Sequence, residues 1–212
     1  VAQVWSVVVA GGSGRRFGRL KQFALLAERP VVEWAVAACR ASSSGVVLVV
    51  PKGDDARTAY GADVVVVGGG TRTESVGRGV AAVPETAEVI VVHDAARPLA
   101  SADLFRSVIA AVTGGDGGAV PGLAVSDTIK VVDHSSRVTA TLDRDTLVAV
   151  QTPQAFDAAL LRRAHTSGTV ATDDAALVEA LGATVRVVPG EPRNLKITTP
   201  ADLELAEHLL RG

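Results

Sequence analysis

The sequence predicts an α/β protein of Rossmann-like, three-layer design, with a mostly parallel twisted sheet between helices and a β-arm protruding from it. Short Val-rich runs bounded by Gly, Pro or polar residues alternate with longer helical patterns, the rhythm of a sheet built with crossover helices. The runs are continuously apolar, as in strands covered on both faces. One stretch, 123–147, breaks the rhythm with β-branched and polar residues by turns.

In chain order, Val4–Ala10, Val46–Val50, Val64–Val67 and Val89–Val92 read as successive buried strands. Val31–Arg40, Asp54–Tyr60 and Thr73–Val83 read as the helices between them. The helix Ser101–Val112 follows the fourth strand, with Ser101 as its N-cap. Gly114–Gly118 reads as a turn or flexible connection. In the arm, Asp133-His134-Ser135-Ser136 separates two runs that alternate like a hairpin. Thr199-Pro200-Ala201-Asp202 supplies an N-cap, a proline at the first helical position and an acid in the first turn, so the last helix starts there. No composition break divides the chain, and residues 1–212 are expected to form one domain.

Composition narrows the function. The 212 residues are 48% hydrophobic and 21% charged, enough to bury a large core. No apolar stretch approaches the ~20 residues that span a bilayer, and the N-terminus runs into a strand without a signal-type segment. A soluble, cytoplasmic protein with no membrane partner is expected. A net charge of -2 provides no general basic field, so nucleic acid is a poor partner and any anion site must be local. The single cysteine, Cys39, lies in an apolar helical run, excludes an internal disulfide and reads as a buried structural residue.

Chemistry begins after the first strand, at Ala10-Gly11-Gly12-Ser13-Gly14-Arg15-Arg16. The glycines let the backbone approach a ligand and aim N–H groups at phosphate oxygens, and Arg15, Arg16 and Lys21 add charge. A glycine-rich turn alone is often only a turn; the nearby cations argue for an anion. No Gly-Lys dipeptide makes a P-loop, and Phe17 stands where a dinucleotide fold needs its third glycine. The second strand ends Val50-Pro51-Lys52, without the acid that would bind an adenosine ribose.

A second such loop, Gly68 to Val76, follows the third strand with Gly69, Arg72 and Ser75, and a flat base has room to rest on it. Its plain alternative is a strand-to-helix loop capped by Thr71 or Thr73. Two glycine-rich loops at one sheet edge match the rule that open α/β sheets bind ligands outside the carboxyl ends of their strands. The fourth strand brings Asp94, Ala95 and Arg97 to that edge. Asp94 is the candidate for handling a metal, because phosphoryl-type transfer needs charge neutralisation more than covalent help; an Asp–Arg pair that orders the loop is the alternative. His93 has no second His or Cys near it and reads as structural.

Together these segments resemble the 2-C-methyl-D-erythritol 4-phosphate cytidylyltransferase family of the non-mevalonate isoprenoid pathway. The resemblance runs nearly end to end: Ala10 to Arg16, Lys21-Gln22-Phe23, Gly69 to Val76, His93 to Pro98, Asp127 to Lys130, Leu142-Asp143-Arg144, Gln151 to Gln154, Thr172 to Ala175 and Leu195 to Pro200. It implies transfer of CMP from CTP to a sugar-alcohol phosphate, with Mg²⁺ as cofactor. It assigns Ala10, Gly11, Gly12, Ser13, Gly14, Arg16, Lys21, Gly69, Arg72, Ser75, Asp94, Ala95 and Lys196 to CTP. Arg16, Lys21, Lys196 and Asp94 would be catalytic, with Asp94 at the metal. Arg97, Thr128, Lys130, Arg144 and Thr152 would bind the acceptor, and the arm would exchange with a second subunit in a homodimer, so that Thr128 and Arg144 act across the interface. The Ala-Gly-Gly opening and Leu20 before Lys21-Gln22 also resemble relatives that make CDP-ribitol, so ribitol 5-phosphate is the alternative acceptor. An NAD-dependent oxidoreductase and a silent nucleotide-binding module are the other classes; the first lacks its glycine and acid, and the second would have lost one of Arg16, Lys21, Asp94 or Lys196.

Overall fold

The computed structural model describes residues 2–11, 21–52, 60–166 and 171–211. Its core is an eight-stranded sheet. Strands β1 (Val4–Val9), β4 (Gly45–Val50), β5 (Val64–Val67) and β6 (Val89–Asp94) pair in parallel in the order β5-β4-β1-β6. Beyond β6 the sheet turns mixed: β11 (Gln154–Asp157) runs antiparallel to both β6 and β7 (Gly118–Ala124). Strand β10 (Val148–Val150) pairs antiparallel with β7, and β12 (Val185–Pro189) pairs with it in parallel. Gly122 faces both Val150 and Pro189, and Ala119 both Ala155 and Arg186, so β12 holds one edge of β7 while β10 and β11 share the other.

The sheet alternates with period two between its faces. Val4 and Val8, Val46, Leu48 and Val50, and Val89 and Val91 point into one cluster with helices α1 (Val31–Arg40) and α3 (Ala102–Thr113). Val7, Val47 and Val49, and Ile90 and Val92 point into the other with α2 (Arg72–Ala81), α4 (Ala158–Thr166) and α5 (Asp174–Glu179). Every residue of β4 and β6 is buried, which is why those runs carry no polar alternation. A third cluster joins α6 (Pro200–Arg211) to the small hairpin β2 (Leu25–Leu26) and β3 (Arg29–Pro30) through Leu26, Ile197 and Ala206.

Local signals place the helix starts. The Thr71 side chain accepts from the Glu74 N–H and opens α2, and Ser101 does the same for α3 through the Leu104 N–H. Thr199 and Asp202 cap α6 reciprocally: Asp202 accepts from the Thr199 N–H at 2.7 Å, and its own N–H reaches Thr199 Oγ1 at 3.4 Å. Cys39 is fully buried in α1, and burial pushes its thiol up to about 12 in spite of a hydrogen bond with Ser6.

Several boundaries differ from the sequence reading. Strand β6 runs on through His93 and Asp94, because both are buried and their backbone continues the ladder with Val8 and Val9. Gly118 opens a strand instead of closing a flexible link, since it pairs with Phe156 and Val185. The helix expected over 54–60 lies outside the described residues, apart from Tyr60 in a turn. The arm is a hairpin, β8 (Lys130–Val132) with β9 (Val138–Thr141), turning at Asp133 to Arg137. All of its strand residues are exposed, so its sequence alternation has no buried face within one chain.

Candidate active site

The register aligns the carboxyl ends of the parallel strands. Val9 stands opposite Asp94 on one side and Val49 on the other, and Val50 opposite Val67. The loops that leave these strands therefore open at one edge, and three backbone bonds extend the ladder into them: Ala10 N–H to Val49 O, Gly68 N–H to Val50 O and Ala95 N–H to Val9 O. Of the first glycine loop the described residues include Ala10 and Gly11; Gly12, Ser13, Gly14, Arg15 and Arg16 lie outside them. Gln22 donates to the Ala10 carbonyl at 2.6 Å, and Lys21 opens the same 3-10 turn.

Asp94 is the electrostatic centre of the edge. Lys196 Nζ lies 2.5 Å from its Oδ2, and Arg72 Nε 3.7 Å from its Oδ1. Burial raises the Asp94 carboxyl, yet Lys196 first, then Arg72 and Arg97, outweigh it and hold the group at about 2 against an ordinary 3.8. It is an anion at neutral pH. Lys196 reaches it because the Ile197 N–H bonds the Ala96 carbonyl at 2.8 Å, tying the segment before α6 to the loop after β6.

Arg72 bridges two carboxylates. Its Nη1 is 2.8 Å from Asp174, whose side chain is 1% exposed and also meets His165 Nε2 at 3.1 Å. Burial lowers the guanidinium, and Asp174 and then Asp94 more than restore it, so its basicity is raised. A cation in the first turn of α2 opposes the helix dipole, and the two acids compensate for it.

Beneath Asp94 lies a neutral histidine. His93 is fully buried; burial, opposed by the Arg97 carbonyl bond and by Asp94, drops it to about 4 from 6.5. Its Nε2 sits 3.0 Å from the Arg97 carbonyl, which can only accept, so Nε2 carries the proton and Nδ1 accepts from Thr152 Oγ1 at 3.1 Å. Thr152 Oγ1 in turn accepts from the Asp94 N–H at 3.0 Å. This is the structural role the sequence assigns to His93.

The second glycine loop is tied up by its own helix. Ser75 Oγ donates to the Thr71 carbonyl at 2.8 Å and accepts from the Gly69 N–H at 3.1 Å, while Glu74 takes the Gly70 N–H at 2.7 Å. A Cβ on Gly11 would lie 3.3 Å from Ser75 Oγ, so the two glycine loops touch at this hydroxyl. Thr128, Lys130 and Arg144 are exposed on the arm, where Lys130 donates to Thr141 and Arg144 to the Ser126 carbonyl. Arg97 is at the edge, donating to the Asn194 carbonyl at 2.6 Å, with its Nε buried and unpartnered among the described residues. Sequence reasoning missed Asn194, Asp174 and His165. The Asp173-Asp174 pair was part of the resemblance, but no periodicity ties residue 174 to residue 72.

No group of three or more His, Cys, Asp or Glu side chains is placed to hold a metal among the described residues. Asp94 offers one ionised oxygen ligand, which fits a magnesium ion, since Mg²⁺ commonly takes one or two carboxylates and completes its shell with substrate phosphates and water.

A buried carboxylate flanked by lysine and arginine, at a sheet edge where two glycine loops meet, suits a ligand that carries phosphate groups, and the family the chain matches makes it an enzyme, a nucleotidyltransferase. A family model described as "IspD: 2-C-methyl-D-erythritol 4-phosphate cytidylyltransferase" matches residues 4–212. The chain is 40% identical over 224 residues to the 2-C-methyl-D-erythritol 4-phosphate cytidylyltransferase of Nostoc punctiforme, covering 98% of each. It is 44% identical to a bifunctional IspD/IspF enzyme of Anaeromyxobacter dehalogenans, of which it spans 58%. The crystal structure of 2-C-methyl-D-erythritol 4-phosphate cytidylyltransferase from Thermus thermophilus superimposes with a TM-score of 0.83 at 38% identity, covering 97% of this chain and 98% of that one. The chain therefore belongs to the IspD family, the 2-C-methyl-D-erythritol 4-phosphate cytidylyltransferases. Its reaction is the transfer of a cytidylyl group from CTP to 2-C-methyl-D-erythritol 4-phosphate.

Proposed function

We propose that this transfer is an in-line displacement run by charge placement, with Arg16, Lys21 and Lys196 on the triphosphate and Asp94 at a magnesium ion. The observation that carries the reading is the Lys196–Asp94 contact of 2.5 Å at the edge where the glycine loops open. A phosphate oxygen of the acceptor attacks the α-phosphorus of CTP, the bond to the bridging oxygen breaks, and pyrophosphate leaves. The attacking phosphate monoester is already largely ionised near neutral pH, so no general base is needed. Bound magnesium would neutralise charge on the phosphate oxygens. Lys196 turns from Asp94 to the triphosphate as the nucleotide arrives, while Arg72 stays anchored by Asp174 and keeps Asp94 ionised. The remaining CTP contacts are the backbone of Ala10 to Gly14, Gly69, Ser75 and Ala95.

Arg97 and Thr152 form the acceptor side at the edge, and Thr128, Lys130 and Arg144 complete it from the arm of a second subunit. The exposed arm supports this, because Val131, Val132, Val138 and Leu142 on it are each at least 41% exposed, apolar surface that a partner subunit would cover. Residues 1–212 act as one domain with its arm at 123–147. No described helix is long and apolar enough to cross a membrane. A cytoplasmic site of action belongs to the same proposal, and Cys39, buried and free of any disulfide, suits a reducing compartment.

The test is pyrophosphate release from CTP and Mg²⁺ with methylerythritol 4-phosphate, ribitol 5-phosphate and glucose 1-phosphate in parallel. Methylerythritol 4-phosphate is expected to be preferred. Preference for ribitol 5-phosphate would overturn the acceptor, and release with none of the three would overturn the mechanism.

A further inference from the structure

Lys196 and Arg97 both depend on the 190–197 segment, which contains no helix or strand. Backbone bonds tie its two ends, Gly190 N–H to the Gly122 carbonyl at 2.9 Å and Ile197 N–H to the Ala96 carbonyl at 2.8 Å, and between them a pair of buried amides holds it. Gln151 N–H bonds the Pro121 carbonyl at 2.8 Å, anchoring Gln151 to β7. Its side chain then pairs with Glu191 in both directions, Nε2 donating to the Glu191 carbonyl at 2.9 Å and Oε1 accepting from the Glu191 N–H at 3.0 Å. Gln151 Nε2 also reaches the Asn194 carbonyl at 3.3 Å. Asn194 is fully buried; its Nδ2 donates to the Thr152 carbonyl at 2.9 Å, and its own carbonyl receives the Arg97 guanidinium. Two residues further on, Lys196 meets Asp94.

We propose that Gln151 and Asn194 are positioning residues for both halves of the reaction. Their amides hold one strap so that Arg97, facing the acceptor, and Lys196, facing the triphosphate, keep a fixed separation. In-line transfer requires that separation, because two phosphates brought together by different cations react only if those cations are in register. Buried amides suit this: replacing Gln151 removes the partner of the Glu191 N–H and carbonyl, replacing Asn194 removes the partner of the Thr152 carbonyl, and the strap that carries the Arg97-binding main-chain carbonyl is then free to move. Nothing in a single-sequence pattern marks Asn194, since its bonds run to residues 42 and 97 positions away.

The inference rests on the proposed roles of Arg97 and Lys196, and the experiment separates the two. Asn194→Ala, Arg97→Ala, Lys196→Ala and the doubles Asn194→Ala/Arg97→Ala and Asn194→Ala/Lys196→Ala are assayed for kcat and for KM of each substrate, with folding checked by thermal unfolding. Asn194→Ala is expected to raise the acceptor KM and lower kcat, each by about tenfold, the order expected for a misplaced group. The acceptor effect should vanish in the Arg97→Ala background and the kcat effect in the Lys196→Ala background, because positioning acts through those cations. Additive effects, or a lower melting temperature with unchanged kinetics, would overturn the positioning role. Single Arg97→Ala and Lys196→Ala variants that behave as wild type would instead overturn the proposed site. If Asn194→Ala does not fold, Gln151→Met, which keeps the volume and removes the amide, is carried through the same cycles with the same outcomes decisive.

Discussion

Replacing Lys196 by methionine asks whether Asp94 owes its charge to the cation beside it. Burial pushes the Asp94 carboxyl up, and Lys196 is the largest of the influences that bring it down to about 2 from 3.8. A carboxyl whose folded pKa lies below its unfolded value adds stability that is fully present above the unfolded pKa and is lost as pH falls through the folded one. That window runs from 3.8 down to about 2. At neutral pH the shift is worth about 2 kcal/mol at 1.36 kcal/mol per pKa unit. Methionine fills similar volume without charge, leaving burial opposed by Arg72 at 3.7 Å and by Arg97. The loss of stability that Asp94 contributes between pH 3.8 and about 2 should shrink, and that part of the acid limb is displaced accordingly. Urea unfolding between about pH 2 and pH 8, with Asp94→Asn in both backgrounds, measures the displacement and assigns it to Asp94. Turnover at saturating substrates should fall about 10²- to 10³-fold, as for other preorganised donors. An acid limb that superimposes on the wild type would refute the electrostatic argument, and normal turnover with a displaced limb would remove Lys196 from the chemistry.

Two further outcomes follow from buried groups at the same edge. The His93 pKa of about 4 lies below its unfolded 6.5, so the unfolded chain takes up the proton first and stability is lost as pH falls from 6.5 to about 4. The loss amounts to about 3 kcal/mol, and His93→Gln should lack it when unfolding is compared at both ends of the window; parallel slopes would count against the buried neutral imidazole. At Gly68 an added Cβ would lie 2.8 Å from Ser75 Oγ and 3.2 Å from the Val50 carbonyl, a backbone atom that cannot yield. Gly68→Ala should cost about 1–3 kcal/mol by overpacking and raise the CTP KM. Gly11→Ala, 3.3 Å from the same hydroxyl and 3.8 Å from the Ser75 Cβ, should cost less on both measures.

The apolar runs and caps were the legible part of the fold. Helix α1 and strand β5 fall where the pattern places them, and Thr71, Ser101 and Thr199 each cap the helix that follows. The mixed half of the sheet was not legible. Strands β7, β11 and β12 include Gly, Pro and polar residues and become strands only through pairing with partners dozens of positions away. The arm showed as a change of pattern, yet its exposure on all sides appears only in three dimensions.

The site divides in the same way. The sequence by itself determined that two glycine turns, an acid and several cations sit near strand ends, because residue type and local spacing are properties of the chain. Only the tertiary structure decided which charges meet. Asp94 finds Lys196 across 102 positions, and Arg72 finds Asp174 across another 102. Asn194, unremarked in sequence, comes to meet the Thr152 carbonyl through its amide and the Arg97 guanidinium through its main-chain carbonyl. Charge and hydrogen-bond partners act through space over a few ångströms, and the separation along the chain carries no trace of that proximity until the sheet brings its strand ends into register.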